Sequence, residues 1–402
     1  MIAGQNSELV CYYTAKSLEV DVRQNYSVAI IGCGVIGASI AFHLAESGIK
    51  DIAVLEGSKA GSGSTASSLG GFRSQFSNEL SIKLSQRSVK IIEKFEQLTG
   101  YDPLVRHDGY AFVASSESSY ERLRGDWMLQ RSLGVPVELV DGNQLQKRYS
   151  FYRFEKILGG TLCMADGHAS TMAILQGYIS SAKRQGVEIH EDTEVTAIEK
   201  ESKGTFSLRT THGHINSEVV VIAAGAYSGR VGNLASVKIP IEPYPRKVLV
   251  THSFSDGIPD HIPLIIDVDS TFSFGREGRG LIFATNPPTS PSFKLDFSPD
   301  YEDEVMRLAI TRVPAAGRSS LSHAVAGLYE MTPDANPIVG EVPGNEGLYC
   351  CAGFAGHGFM HAPAIGELFA ELLTKGKTSI DISSYGIERF ATPSSEKEMR
   401  IV

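Results

Sequence analysis

Residues 27 to 56 run Ser-Val-Ala-Ile-Ile-Gly-Cys-Gly-Val-Ile-Gly, then an apolar stretch of helical composition, then Asp-Ile-Ala-Val-Leu-Glu. This order of strand, glycine turn, helix and strand leaves little freedom in what the segment can become. Gly32 permits a tight turn out of the first strand, Gly34 lets backbone amides approach a pyrophosphate, and Gly37 lets the helix pack closely on the sheet. Glu56 follows Gly37 by 19 residues, close to the spacing of about 20 at which an acid meets a ribose hydroxyl. An acid at that place disfavours a 2′-phosphate. The unit predicts a dinucleotide-binding strand, helix and strand.

The 402 residues suffice for two or three structural domains, and 42% hydrophobic with 21% charged residues describes a globular chain. A formal charge of −9 and the absence of any long basic run argue against a nucleic-acid surface. The five cysteines (Cys11, Cys33, Cys163, Cys350, Cys351) have no metal-ligand spacing, and Cys350 and Cys351 read as buried strand residues. The first 25 residues lack the apolar core of a signal peptide, and no run reaches the roughly 18 apolar residues of a membrane span. A cytoplasmic location and no membrane span are therefore expected.

Beyond Glu56, Gly61-Ser62-Gly63-Ser64-Thr65-Ala66-Ser67-Ser68-Leu69-Gly70-Gly71-Phe72-Arg73 is too long a run of small residues for a simple turn. It reads as a loop that wraps a ligand. Helical periodicity covers 78 to 98, with Asn78 as N-cap and Gly100 as stop. A strand is expected at 109–114, helices at 120–133 and 173–182, and strands within 187–198. The apolar run Val219 to Ile222, entering Ala223-Ala224-Gly225-Ala226, belongs in the middle of a parallel sheet. Residues 247–283 suggest antiparallel strands of a second domain. Near the end, Leu348 to Ala352 is a strand, Gly353 to Gly358 a turn, and 359–374 a helix stopped by Gly376.

Taken together, the first glycine turn, Gly61-Ser62-Gly63-Ser64-Thr65, Ala223-Ala224-Gly225-Ala226, Tyr329-Glu330-Met331-Thr332-Pro333-Asp334 and Gly353-Phe354-Ala355-Gly356-His357-Gly358-Phe359 resemble the D-amino-acid oxidase superfamily of flavoproteins. Within it the chain is similar to the beta subunits of sarcosine oxidase and of archaeal L-proline dehydrogenase, over about residues 26 to 390. The resemblance implies a mixed α/β fold: a Rossmann-like FAD-binding domain assembled from 26–105, 160–230 and 326–390, with an inserted antiparallel-sheet substrate domain from 106–159 and 231–325. Residues 1–25 would form an N-terminal extension and 391–402 a polar tail.

The resemblance also carries roles. It assigns the nucleotide part of FAD to Gly32, Gly34, Ile36, Gly37 and Glu56, with Gly63, Ser64, Thr65, Val195, Ala224 and Gly225 alongside. It places Gly353, Gly356, His357, Gly358, Phe359 and Met360 at the flavin, where a helix N-terminus would stabilise the negative charge of the reduced ring. Gly327 stands where monomeric sarcosine oxidases carry the cysteine that binds FAD covalently, which implies non-covalent FAD. Tyr329, which begins the Tyr-x-x-Thr motif, aligns with a family tyrosine near the flavin face, and Arg73 would bind the substrate carboxylate, with Arg246 and Lys247, at the entry to the second domain's first long strand, as further candidates for the same pocket. Thr171 occupies the place of the histidine that holds FMN in tetrameric sarcosine oxidases, so covalent FMN is not implied, although FMN elsewhere in a complex stays open. Ile282 replaces a lysine that promotes reaction with oxygen, and Met360 replaces another lysine.

The activity implied is removal of a hydride from the carbon beside nitrogen in a small, secondary amino acid such as L-proline or sarcosine, by a dehydrogenase rather than an oxidase. A partner subunit or another acceptor would take the electrons. Two alternatives stay open: a 2-hydroxy acid or glycerol-3-phosphate type dehydrogenase, and a flavin-bearing subunit active only with its partner.

Overall fold

The computed structural model describes residues 25–202, 204–286 and 290–391. The expected N-terminal extension and polar tail, and Cys11, lie outside the described residues except at Asn25 and Ala391. The elements begin with β1 (Asn25–Ile31), α1 (Val35–Glu46), β2 (Ile52–Leu55), β3 (Gly71–Phe72), α2 (Glu79–Glu93), α3 (Phe95–Thr99), β4 (Tyr110–Ala114) and α4 (Glu117–Ser132). Next come β5 (Glu138–Asp141), α5 (Gly142–Arg148), β6 (Gly159–Cys163), β7 (Gly167–His168), α6 (Thr171–Arg184), β8 (Glu188–His190), β9 (Val195–Lys200), β10 (Phe206–Thr210) and β11 (Gly213–Ile222). After α7 (Ser228–Leu234) follow β12 (Glu242–Thr251), β13 (Leu264–Asp267), β14 (Ser273–Glu277), β15 (Gly280–Ala284) and α8 (Tyr301–Arg312). The chain closes with β16 (Leu321–Met331), β17 (Ile338–Glu341), β18 (Leu348–Ala352) and α9 (Gly358–Lys375).

Two sheets organise these elements. The first runs β17-β18-β11-β1-β2-β8, with β9 and β10 joined to it through β11. From β18 to β8 the pairs are parallel, so β11 sits between parallel neighbours as its unbroken apolar run requires. Alternate residues serve two layers: Val28, Ile30 and Val54 pack toward α1, α6 and α9, while Ala29, Ile31, Leu55 and Ile222 pack with Val195, Leu208 and Ile241 on the other side.

The second sheet runs β16-β12-β15-β14-β13-β4-β6-β5. Its pairs are antiparallel except β4 with β13, where Tyr110 lies opposite Leu264 in parallel register. The whole of β6 and of β16 belongs to it, so the boundaries expected at 160 and 326 fall inside its strands. At β6 two glycines allow the close approach, since a Cβ on Gly160 would strike the Phe112 carbonyl.

The helix expected over 78–98 is two helices meeting at Lys94, whose ψ of 7° breaks the α-helical path. Asn78 caps the first, accepting from the Ser81 amide at 2.8 Å, and Gly100 ends the second in the left-handed region at φ 81°. Gly376 ends α9 likewise at φ 67°. Among the described residues no helix is long and apolar enough to cross a membrane.

Candidate active site

The parallel strands β1, β11 and β18 all end at the same edge of the first sheet, and a glycine turn follows each. Such a carboxyl edge is where open α/β sheets bind ligands. At the β1–α1 turn, Gly32 has φ 108°, and a Cβ on it would overlap the Ala223 carbonyl; one on Gly37 would overlap the Gly32 carbonyl. Glu56 braces this turn. Its Oε2 accepts from the Cys33 amide at 2.8 Å and its Oε1 from the Ser58 amide at 3.0 Å.

Helix α1 starts at this turn with Gly34 as N-cap, no capping side chain and no acid in its first turn. Thr65 Oγ1 accepts the Val35 amide at 3.1 Å, so the small-residue loop reaches the helix N-terminus as expected for a loop that wraps a ligand. Helix α9 starts in the same manner, after His357, with no capping side chain and no acid in its first turn. By contrast Asn78, Ser116, Asp141 and Ser170 close the N-termini of α2, α4, α5 and α6. The N-cap residues of α3, α7 and α8 make no side-chain cap either, but α1 and α9 are the two that start at the glycine turns after β1 and β18, on the carboxyl edge, where a helix dipole favours an anion.

The small-residue loop also touches the second sheet. Ser64 Oγ donates to the Leu328 carbonyl and Ser67 Oγ to the Ala326 carbonyl, each at 2.8 Å, along the outer edge of β16. Between those carbonyls, a Cβ on Gly327 would come within 2.7 Å of Ser67 Cβ. Glycine at 327 therefore lets the loop lie on the strand, and a cysteine side chain there would have to displace it. Gly63 has open space around its Cβ position. Val195 is buried at the start of β9, one residue after Glu194, which borders Gly57 next to Glu56.

Arg73 is 1% exposed, which removes a surface ion pair as its role. Its Nη1 donates to the Gln75 carbonyl, and its Nη2 lies 3.0 Å from His357 Nε2. A guanidinium only donates, so His357 presents a lone pair at Nε2. The rings of Phe76 and Phe112 lie 4.1 and 5.1 Å from the guanidinium carbon and fix its plane. This joins two motifs 284 residues apart.

Asp166, which sequence reasoning did not single out, holds the arginine segment from the other side. It accepts from the Ser74 amide and from Gln75 Nε2, both at 2.8 Å. Burial pushes its carboxyl up to about 6, against the bonds and the Arg73 charge that pull it down. Its only sequence signal is an acid entering the short turn before Gly167 and His168.

Tyr329 and Arg246 lie together on the second sheet, opposite the β18–α9 turn. The Tyr329 ring occupies the place a Cβ on Gly356 would take, and the Arg246 guanidinium carbon is 5.3 Å from the ring centroid. Burial lowers Arg246 from its ordinary value. Ala355 and Gly356 both have positive φ, 51° and 86°, and Gly353 has 87° with Thr332 Cγ2 2.6 Å from its Cβ position. Amides of Phe354, Ala355 and His357 are bonded within the protein, to Glu330 Oε1, the Glu330 carbonyl and the Phe354 carbonyl. Phe359 and Met360 are buried in the first turn of α9, as is Ile36 in α1.

Residues 27–372 match the family model described as DAO: FAD dependent oxidoreductase. The chain belongs to this family. Among relatives of this FAD-dependent oxidoreductase, sarcosine oxidase subunit beta of Rhizobium meliloti (strain 1021) is 27% identical, over 92% of this chain and 89% of that protein. Mitochondrial dimethylglycine dehydrogenase of Homo sapiens is 25% identical over 93% of this chain, which spans 45% of that protein's length. The crystal structure of L-proline dehydrogenase from P. horikoshii superposes with a TM-score of 0.86 at 28% identity, covering 92% of this chain and 98% of that one.

The family's cofactor is FAD, and the carboxyl edge fits it. Three glycines leave backbone room at the β1–α1 turn, and two uncapped helix N-termini suit a pyrophosphate and an electron-rich flavin.

Proposed function

We propose that this oxidoreductase takes a hydride from the carbon beside nitrogen of a small secondary amino acid, with L-proline the leading substrate and sarcosine next. The single observation that carries the reading is Arg73: a buried, plane-fixed cation tied to His357 at the start of α9. A carboxylate anchored there in a bidentate fork would set the substrate's C–H at the flavin end of the edge. FAD supplies the hydride acceptor when bound. Gly34 with the α1 N-terminus would hold its pyrophosphate, Glu56 its ribose, and Gly353 to Met360 its flavin, without a covalent link because position 327 is glycine.

A dehydrogenase rather than an oxidase is favoured by Ile282, buried in β15 where the resemblance expects a lysine. An apolar side chain offers no charge to stabilise superoxide as it forms. The similarity to a sarcosine oxidase beta subunit supports a partner subunit as electron acceptor.

The test is the visible spectrum of the FAD-reconstituted protein before and after anaerobic addition of L-proline. Bleaching of the flavin bands is expected, with sarcosine slower and pyrrolidine, which lacks the carboxylate, slower still. Bleaching by a 2-hydroxy acid but by no amine would replace this reading with oxidation of a C–O bond.

A further inference from the structure

A row of contacts crosses the carboxyl edge from β1 to β18. Gly32 abuts Ala223 and Ala224; a Cβ on it would lie 3.0 Å from Ala224 Cα. Next along the same turn, a Cβ on Gly225 would lie 3.4 Å from Glu330 Oε2. The other carboxyl oxygen, Oε1, accepts from the Phe354 amide at 3.3 Å and lies 3.8 Å from the Cβ position of Gly358. The Glu330 carboxyl thus bridges the turn after β11 and the turn after β18.

This carboxyl is 9% exposed, and its Oε2 has no hydrogen-bond partner among the described residues. A buried carboxyl oxygen left unbonded destabilises the fold, whereas an apolar side chain of similar volume would not. The Phe354 amide gives a reason for one carboxyl oxygen, and packing gives none for the other. Ligand chemistry does.

We propose that Glu330 is a cofactor ligand whose Oε2 bonds a hydroxyl of the FAD ribityl chain, midway between the β1–α1 and β18–α9 turns. The assignment rests on the reading that the pyrophosphate lies at α1 and the flavin at α9. The ribityl chain is the part of FAD that spans two such sites. It also has the matching chemistry: a pyrophosphate would repel the acid, but a hydroxyl is uncharged and both donates and accepts. Burial pushes the Glu330 carboxyl up to about 7, so near neutral pH it can take either part in that bond.

The experiment is a thermodynamic cycle on apoprotein, titrated with FAD and with FAD analogues in which one ribityl hydroxyl is replaced by hydrogen, followed by flavin fluorescence. Glu330→Leu is expected to weaken FAD binding about tenfold, the weight of one hydrogen bond. Because the substitution also removes the acceptor of the Phe354 amide, the coupling to a hydroxyl, and not the melting temperature of the apoprotein alone, decides the proposal. Wild type is expected to lose the same factor with one deoxy analogue, and Glu330→Leu to lose nothing further with that analogue. Glu330→Gln, which keeps an oxygen, retains most of the affinity.

Wild-type affinity for FAD in Glu330→Leu overturns the proposal. So do equal losses from every analogue in both proteins, or a lower apoprotein melting temperature with no coupling to any hydroxyl, which marks a structural acid. If wild type binds FAD and the cycle shows no coupling, the Glu330 assignment alone fails. If wild type binds no FAD, the reading of the edge fails with it.

Discussion

At the β1–α1 turn Gly32 and Gly37 meet backbone: the obstacles to a side chain are the carbonyls of Ala223 and of Gly32 itself. At the β18–α9 turn they meet side chains, with Tyr329 against Gly356 and Thr332 and Ile241 against Gly353. Backbone obstacles are common to any sequence that adopts this fold. Side-chain obstacles can be exchanged, so the second turn can be reshaped from the second sheet while the first cannot. The nucleotide end is thereby fixed, and the end next to Arg73, Tyr329 and Arg246 is adjustable.

The largest effect is expected from Gly32→Ala, where φ 108° and an unyielding carbonyl coincide. A loss of at least about 3 kcal/mol follows from overpacking and backbone strain together, read as loss of soluble protein that retains FAD. Arg73→Gln should leave FAD content unchanged, yet lower kcat/KM for a carboxylate substrate on the order of 100-fold, about 3 kcal/mol, the range for a charged hydrogen-bonded anchor. Its effect on pyrrolidine should be slight. Loss of FAD along with substrate would show that the two ends are not separable.

Gly356→Ala tests the contrast itself. Alone it should cost about 2 to 3 kcal/mol in thermal stability. Combined with Tyr329→Ala it should cost only about 1 kcal/mol beyond Tyr329→Ala, the residual strain of a positive φ. No second substitution is expected to relieve Gly32→Ala in this way.

The pH dependence of the apoprotein gives a further expectation. Glu330 has an ordinary value of 4.5 and is pushed up to about 7 by burial, so between those values the folded chain binds more protons than the unfolded chain. Stability should fall as pH rises from about 4.5 to about 7 and level off above. Asp166, raised to about 6, adds a slope of the same sign. Glu330→Gln should remove its share, on the order of 3 kcal/mol across the window, in chemical denaturation at several pH values. The smallest effect is expected from Thr65→Val, which removes the acceptor of the Val35 amide and should cost about 1 kcal/mol.

The same contrast governs what could be read from the sequence. Gly32, Gly34, Gly37 and Glu56 were legible because their constraints are local: a turn, a helix start and the next strand within 30 residues. The β18–α9 turn was legible as a strand, turn and helix. What gives it chemistry was not, because Arg73 and Tyr329 reach it through tertiary contacts that no spacing encodes. Arg73 could be named through the family resemblance, but its bond to His357 could not. Asp166 carries no periodic or motif signal, and Glu330, although it lies in the motif that begins at Tyr329, was given no role there, because the meaning of both acids lies in burial. The break at Lys94 was hidden because apolar periodicity continues through Phe95.

The small-residue loop has one more consequence. β16 ends its sheet, and its outward carbonyls at Ala326 and Leu328 are the groups by which a foreign strand would add to it. Ser64 and Ser67 take those carbonyls. The loop that reaches α1 is therefore also a guard against self-association, and chains emptied of cofactor should be the ones that aggregate if that guard loosens.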